Sequence, residues 1–341
     1  VTAANAAPKS LARARELVTP VLAAASATLS PELRHIVEYH WGWVDAAGQP
    51  QRGAAGKMLR PTLAMLSAEA VGAPAERASA AAAAVEIIHD FTLLHDDVMD
   101  GDRERRHRPT AWTVFGVGPA ICGGDALVLL AQRLLLEDAG DGRAAAALAL
   151  NEAAAEVIAG QVLDLSFEGR FDVSLERYLE MAGQKTGALL ACAASIGALA
   201  AGGPEAAVRD LHAYGAALGL AFQAVDDWLG IWGRPERTGK PVASDLRQRK
   251  SSLPIVFALG ESGDAARALR ALLEDPAALG DETSLADGVA LLDACGAEQR
   301  TRDEAARQIA AARRALARAP IAAAARDELS ELTRFVVERE F

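Results

Sequence analysis

The chain has 341 residues, of which 51% are hydrophobic, 24% charged and only 5% aromatic. This is a globular composition, long enough to bury a large core, and it excludes a disordered protein. The formal net charge of −11 excludes general nucleic-acid binding, which needs a basic surface.

Alanine runs fill the place of the missing aromatics, and alanine is the strongest helix former, so the chain reads as all-α. Residues 1–10 read as a frayed end without the apolar core of a secretion signal. Leu11 to Leu29 forms an alanine-rich helix, and Ser30-Pro31-Glu32 is an N-cap with proline in the first turn of the next one. Gly48 to Gly56 is a loop. Helices follow from Pro61 to the break at Gly72–Pro74, from Arg77 to about Asp100, and near 119–138, 144–167, 175–199, 205–232, 252–260, 302–317 and 322–338. No run of alternating β-branched residues and no fixed-period repeat is present.

The uncharged stretch Thr186–Pro204 has about the length of a bilayer span. Its alanine and glycine content, the internal Ser195 and the preceding lysine segment mark it as a tightly packed internal helix, so no membrane span is expected. Three widely spaced cysteines, Cys122, Cys192 and Cys295, form no CxxC pair. That argues against a disulfide framework or a cysteine zinc site and fits a reducing cytoplasm. The whole of 1–341 reads as one domain.

Two polar segments interrupt the helices: GDRERRHRPT (Gly101–Thr110) and GRPERTGKPVASDLRQRKSS (Gly233–Ser252). Each follows an acidic cluster. Asp96, Asp97 and Asp100 end an apolar helix, and Asp96 and Asp100, four apart, share a face, where like charges repel. A helix C-terminus is also the unfavourable end for carboxylates. A divalent cation relieves both problems, and hard Mg²⁺ suits carboxylate oxygens. The second cluster, Gln223, Asp226 and Asp227, stands in LGLAFQAVDDWLG. Basic groups follow each cluster: Arg103, Arg105, Arg106 and Arg108, then Lys240, Arg247, Arg249 and Lys250. Carboxylate-held metal ringed by arginine and lysine points to a polyphosphate substrate.

These residues resemble the trans-isoprenyl diphosphate synthases, the polyprenyl synthetase family. The resemblance covers about residues 50–260 and rests on GKMLRP (Gly56–Pro61), LLHDDVMDGDRERR (Leu93–Arg106), GGDAL (Gly123–Leu127), GQVLDL (Gly160–Leu165), KTG (Lys185–Gly187), FQAVDDWLG and the GKPVASDLRQRKSSLP loop, in the family's order. It implies the isoprenoid synthase fold, a large antiparallel helical bundle around a deep central cavity. It also implies that Asp96, Asp100 and Asp226 bind Mg²⁺, supported by Asp97 and Asp227. Arg105, Lys185 and Lys240 would contact the allylic diphosphate. Lys57, Arg60, His89 and Arg106 would hold isopentenyl diphosphate. Backbone carbonyls near Lys185–Thr186 and the side chain of Gln223 would steady the carbocation.

One position departs from the family. Gly230 stands where DDxxD usually ends in aspartate, which puts the outer metal site in question. Phe91, five residues before Asp96, is a bulky group of the kind that limits product length in this family, which suggests geranylgeranyl diphosphate, with farnesyl diphosphate as runner-up. A class I terpene cyclase, or a weakly active partner subunit of a synthase, would share much of the pattern. A cyclase does not need Lys57, Arg60, His89 and Arg106, so their presence favours condensation. The family resemblance further implies a homodimer.

Overall fold

The structure is a computed structural model describing residues 7–51, 56–137, 141–233, 242–275 and 278–337. It is all-α. Sixteen helices can be numbered in chain order among the described residues: α1 Lys9–Ser26, α2 Pro31–His40, α3 Leu59–Ala70, α4 Ser79–Met99, α5 Ala111–Phe115, α6 Val117–Leu136, α7 Asp141–Phe167, α8 Leu175–Ala182, α9 Ala188–Ala200, α10 Glu205–Trp232, α11 Ser244–Arg247, α12 Leu253–Leu259, α13 Asp264–Glu274, α14 Glu282–Ala294, α15 Ala297–Arg318 and α16 Ala323–Val337. The strands described are a two-residue pair, β1 Glu104–Arg105 and β2 Arg108–Pro109, antiparallel.

Local chemistry sets the helix starts. Ser30 caps α2 by accepting from the Leu33 N–H, with Pro31 in the first turn. Ser174 caps α8 through Arg177, and Asp281 caps α14 through Ser284. Helix α1 begins at Lys9, two residues inside the stretch read from the sequence as frayed. Thr186–Pro204 is not one helix: a π-turn, Gly183–Gly187, leads into the thirteen-residue α9, whose residues lie almost entirely in the core. Two other helical stretches, Val117–Leu136 and Gly142–Phe167, are long and apolar enough to cross a membrane by length and composition.

The chain packs into two compact units. The first comprises 1–154, 192–212 and 319–329. There α4 packs on α6, α3 and α1, around Leu63, Leu66, Ile87, Ile88, Leu94 and Leu127, all fully buried. The second comprises 155–191, 213–318 and 330–341. In it α12 packs on α15 and α8, and α13 on α14, with Leu253, Leu269 and Leu292 at its centre.

Candidate active site

In the first unit, α4 carries the first acidic cluster at its C-terminal end. Asp96 is half-buried, Asp97 is fully buried and Asp100, the C-cap, is exposed. Asp97 turns inward because Arg105 meets it: the Arg105 Nε donates to Asp97 Oδ1 at 2.6 Å. Burial raises the Asp97 pKa, and the Arg105 guanidinium opposes the shift. The preceding residue, His95, lies in a notch on α6. Its Nε2 is 3.0 Å from the Ile121 carbonyl, and a side-chain carbon on Gly124 would overlap the imidazole. That accounts for glycine in the GGDAL block.

The basic segment after α4 is a hairpin rather than an irregular loop. Arg106 and His107 form its turn, both with positive φ (54° and 60°), as a mirror-image two-residue hairpin requires. Neither is a residue that tolerates this region cheaply, and such strain gathers at functional positions. The four arginines divide the work. Arg108 stacks on Tyr39 at 4.5 Å and donates to the Tyr39 and Val44 carbonyls. Arg103 lies over Trp112. These two anchor the hairpin, and Arg105 is held by Asp97. Arg106 reaches back to the GKMLRP segment, where its Nη2 would be 3.2 Å from a side-chain carbon on Gly56.

Around that point the structure gathers Arg60, Glu86, His89, Asp90 and Arg106, and Lys57 lies exposed beside them in sequence. Among the described residues Arg60 and Arg106 make no hydrogen bond or ion pair, and Arg60 Nε is buried. Arg60 is largely buried and Arg106 exposed, both close to the Glu86 carboxylate, and two guanidiniums side by side make this a receptive anion site. His89 is half-buried. Burial, then Arg60, Arg106, Arg105 and His40, hold its pKa well below the usual value, so it stays neutral. Glu86 and Asp90, both buried, were missed in the sequence reading. A glutamate in the apolar run VEIIHDF was the available signal. Burial, then Asp90, pushes the Glu86 pKa up to about 7 against the pull of Arg60 and Arg106. Phe91 is buried at 6% exposure and meets His95 edge to face at 4.9 Å.

In the second unit, the π-turn brings Lys185 and Thr186 to the end of α10. Single-turn π segments are frequent at functional sites. A side-chain carbon on Gly160 would lie 2.8 Å from the Lys185 Cα, so the glycine of GQVLDL lets α7 touch this turn. Lys185 Nζ donates to Asp164 of the same block. Thr186 Oγ1 donates to Gln223 Oε1 at 2.7 Å, and Gln223 Nε2 donates to Asp227 Oδ1 at 2.8 Å. Asp227 Oδ2 accepts from the Tyr178 hydroxyl and from the Leu253 N–H. Asp227 is thus buried and fully hydrogen-bonded, while Asp226 beside it is exposed. Burial and the nearby Asp245 push the Asp227 pKa up to about 7, opposed by its hydrogen bonds to Leu253, Tyr178 and Gln223. Gly230 is explained by the same neighbour: a side-chain carbon there would overlap the Asp245 carboxylate. Lys240 lies outside the described residues. Arg247 pairs with Glu282 at the surface, and Arg249 donates to the Leu273 carbonyl.

The polyprenyl synthetase family profile matches residues 43–286. A (2E,6E)-farnesyl diphosphate synthase of Mycobacterium tuberculosis is 44% identical over 97% of this chain and 92% of its own length. A geranylgeranyl diphosphate synthase of the same organism is 44% identical over 79% of this chain and 77% of its own. The crystal structure of a polyprenyl synthetase from Streptomyces coelicolor A3(2) superposes with a TM-score of 0.91 at 47% identity, covering 96% of this chain and 99% of that one. Fold and likeness together define an all-α prenyltransferase. The chain belongs to the polyprenyl synthetase family.

Proposed function

We propose that the protein condenses an allylic prenyl diphosphate with isopentenyl diphosphate, and that its product is geranylgeranyl or farnesyl diphosphate. The observation that carries this reading is the division of labour in each acidic motif. One aspartate, Asp97 or Asp227, is buried and hydrogen-bonded within the protein, while Asp96 is half-buried and Asp100 and Asp226 are exposed. The buried carboxylates orient the motif, and the more exposed Asp96, Asp100 and Asp226 are the oxygen donors in this reading.

The donor set fits Mg²⁺, which takes oxygen ligands and keeps waters and phosphate oxygens as its others. Asp96, Asp100 and Asp226 would hold it; when bound it neutralises the leaving diphosphate. Arg105, Lys185 and Lys240 contact the allylic diphosphate. Lys57, Arg60, neutral His89 and Arg106 hold the isopentenyl diphosphate and bring its double bond next to the reacting carbon, making attack effectively intramolecular. The Thr186 and Gln223 dipoles, fixed by their mutual hydrogen bond, face developing positive charge with no reorganisation cost. The proton finally lost goes to the departing diphosphate, so no side-chain base is needed.

Phe91 supports geranylgeranyl diphosphate as the product. The farnesyl synthase that matches nearly the whole chain favours the shorter one. Incubating the pure protein with Mg²⁺, isopentenyl diphosphate and each allylic diphosphate decides. Linear diphosphates are expected. A cyclised hydrocarbon would indicate a cyclase, and no turnover a partner subunit.

The protein is further proposed to be a cytoplasmic homodimer. Helix α6 exposes Val117, Ile121, Leu129 (73%) and Leu136, and α7 exposes Leu148, Ile158 and Val162. Exposed apolar stripes of this kind mark association surfaces. A detergent-independent monomer by light scattering would contradict the dimer, and sedimentation with membranes would contradict the location.

A further inference from the structure

Beneath Asp97 lies a cavity of about 30 Å³, lined among others by His40, Trp41, Asp97, Arg105, Arg106 and Arg108. Three of these residues have a buried polar atom with no hydrogen-bond partner in the protein: Asp97 Oδ2, Trp41 Nε1 and His40 Nε2, the last also 3.7 Å from Asp90 Oδ1, beyond hydrogen-bond reach. All are more than nine-tenths buried: Asp97 is 1% and Trp41 6% exposed, and the His40 side chain 5%. Buried polar groups are very rarely left unpaired, because an unsatisfied one loses its hydration with nothing in return. All three residues line the one cavity, which can supply them a common partner.

The chemistry of the three atoms selects it. The indole N–H only donates and the carboxylate oxygen only accepts, while the imidazole nitrogen can do either. The occupant must therefore both accept and donate. A cation would face the indole N–H and the Arg105, Arg106 and Arg108 guanidiniums, and an anion would face the Asp97 carboxylate. A cavity of roughly 10–15 Å³ or more suffices for one water, which needs two to four polar partners. The space and the partner count both match.

We propose that this cavity is a built-in water site, and that its water, held by Trp41 and His40, fixes Asp97 and through it Arg105. Asp97 has one oxygen on Arg105. The water ties the other oxygen to His40, at the end of α2, and to the adjoining Trp41. Trp41 and His40 are then positioning residues for the guanidinium assigned above to the allylic diphosphate, and this kinetic part rests on that assignment.

The direct test is a crystal structure of the wild-type protein at about 1.8 Å or better. A single ordered water within about 3.2 Å of all three atoms is expected. A dry cavity, or an ion in it, overturns the proposal. This arm does not depend on the reaction. The second test is steady-state kinetics of Trp41→Phe, which removes the donor and keeps the bulk. The KM for the allylic diphosphate should rise about tenfold while the KM for isopentenyl diphosphate stays within about twofold. Equal changes in both, or none, overturn the positioning role. Should Trp41→Phe not fold, His40→Phe is measured in the same way and judged by the same split. Loss of wild-type elongation itself would instead sink the functional reading and leave the water site to the crystallography.

Discussion

The carboxylate of Asp245 occupies the space in which a side chain on Gly230 would begin. Asp245 is buried, and Ser244 Oγ bonds both its Oδ1 and the Gly230 carbonyl. The absence of the family's usual aspartate at position 230 therefore has a local steric and electrostatic cause. Gly230→Ala should cost about 1–3 kcal/mol by overpacking, and Gly230→Asp more, because it adds a second buried carboxylate. Thermal melts of Gly230→Ala, Asp245→Ala and the double variant should be non-additive, since the two residues contest one volume. Strict additivity would show that they do not.

Tyr178→Phe removes the hydroxyl that donates to Asp227 Oδ2 and leaves a buried carboxylate short of a partner. A loss of about 1–3 kcal/mol in denaturant unfolding is expected. Activity should fall too, because Asp227 holds Gln223 and Gln223 holds Thr186. An unchanged unfolding midpoint would mean that the Leu253 and Gln223 bonds suffice.

Glu86 gives the chain a defined pH dependence. Its folded pKa is raised to about 7 from 4.5, first by burial and then by Asp90. A raised folded pKa means that the folded state holds the proton more tightly. The associated stability is complete below about pH 4.5 and is lost as pH rises through about 7. Glu86→Gln cannot lose that proton. The melting temperature of wild type relative to Glu86→Gln should fall between pH 4.5 and 7 and level off above. A constant difference across this window would contradict the shift.

Phe91→Ala should lengthen the product by one or more isoprene units and cost about 3–5 kcal/mol of stability through the cavity it leaves. Product chromatography and a melting curve check the two halves separately. An unchanged product length would confine Phe91 to packing against His95.

Long helices with strong periodicity were legible from the residues alone. The span of α10 agrees to the residue, and α4 lies within two residues of the sequence expectation. Helices α13 and α14 were not read, because their exposed faces are charged and their buried positions are few: Ala266, Leu269 and Leu273 in one, Leu285, Gly288 and Leu292 in the other. The 104–109 hairpin was also missed, since an Arg-His turn carries none of the glycine or asparagine that normally signals positive φ. In the site, the acidic motifs and their basic followers showed in the spacing of charges. The partition between buried and more exposed aspartates did not, because it depends on Tyr178, Leu253 and Arg105, which reach Asp227 and Asp97 only through the fold. Glu86 and Asp245 acquire meaning in the same way, from neighbours distant in sequence.

Asp96 and Asp226 are each proposed to take part in Mg²⁺-dependent binding of the allylic diphosphate. Calorimetric titration of an allylic diphosphate into wild type, Asp96→Asn and Asp226→Asn, each with and without Mg²⁺, tests it most directly. Wild type should bind far more tightly with Mg²⁺ than without, and each single substitution should abolish most of that difference. Full Mg²⁺-dependent affinity in either variant would contradict the claim.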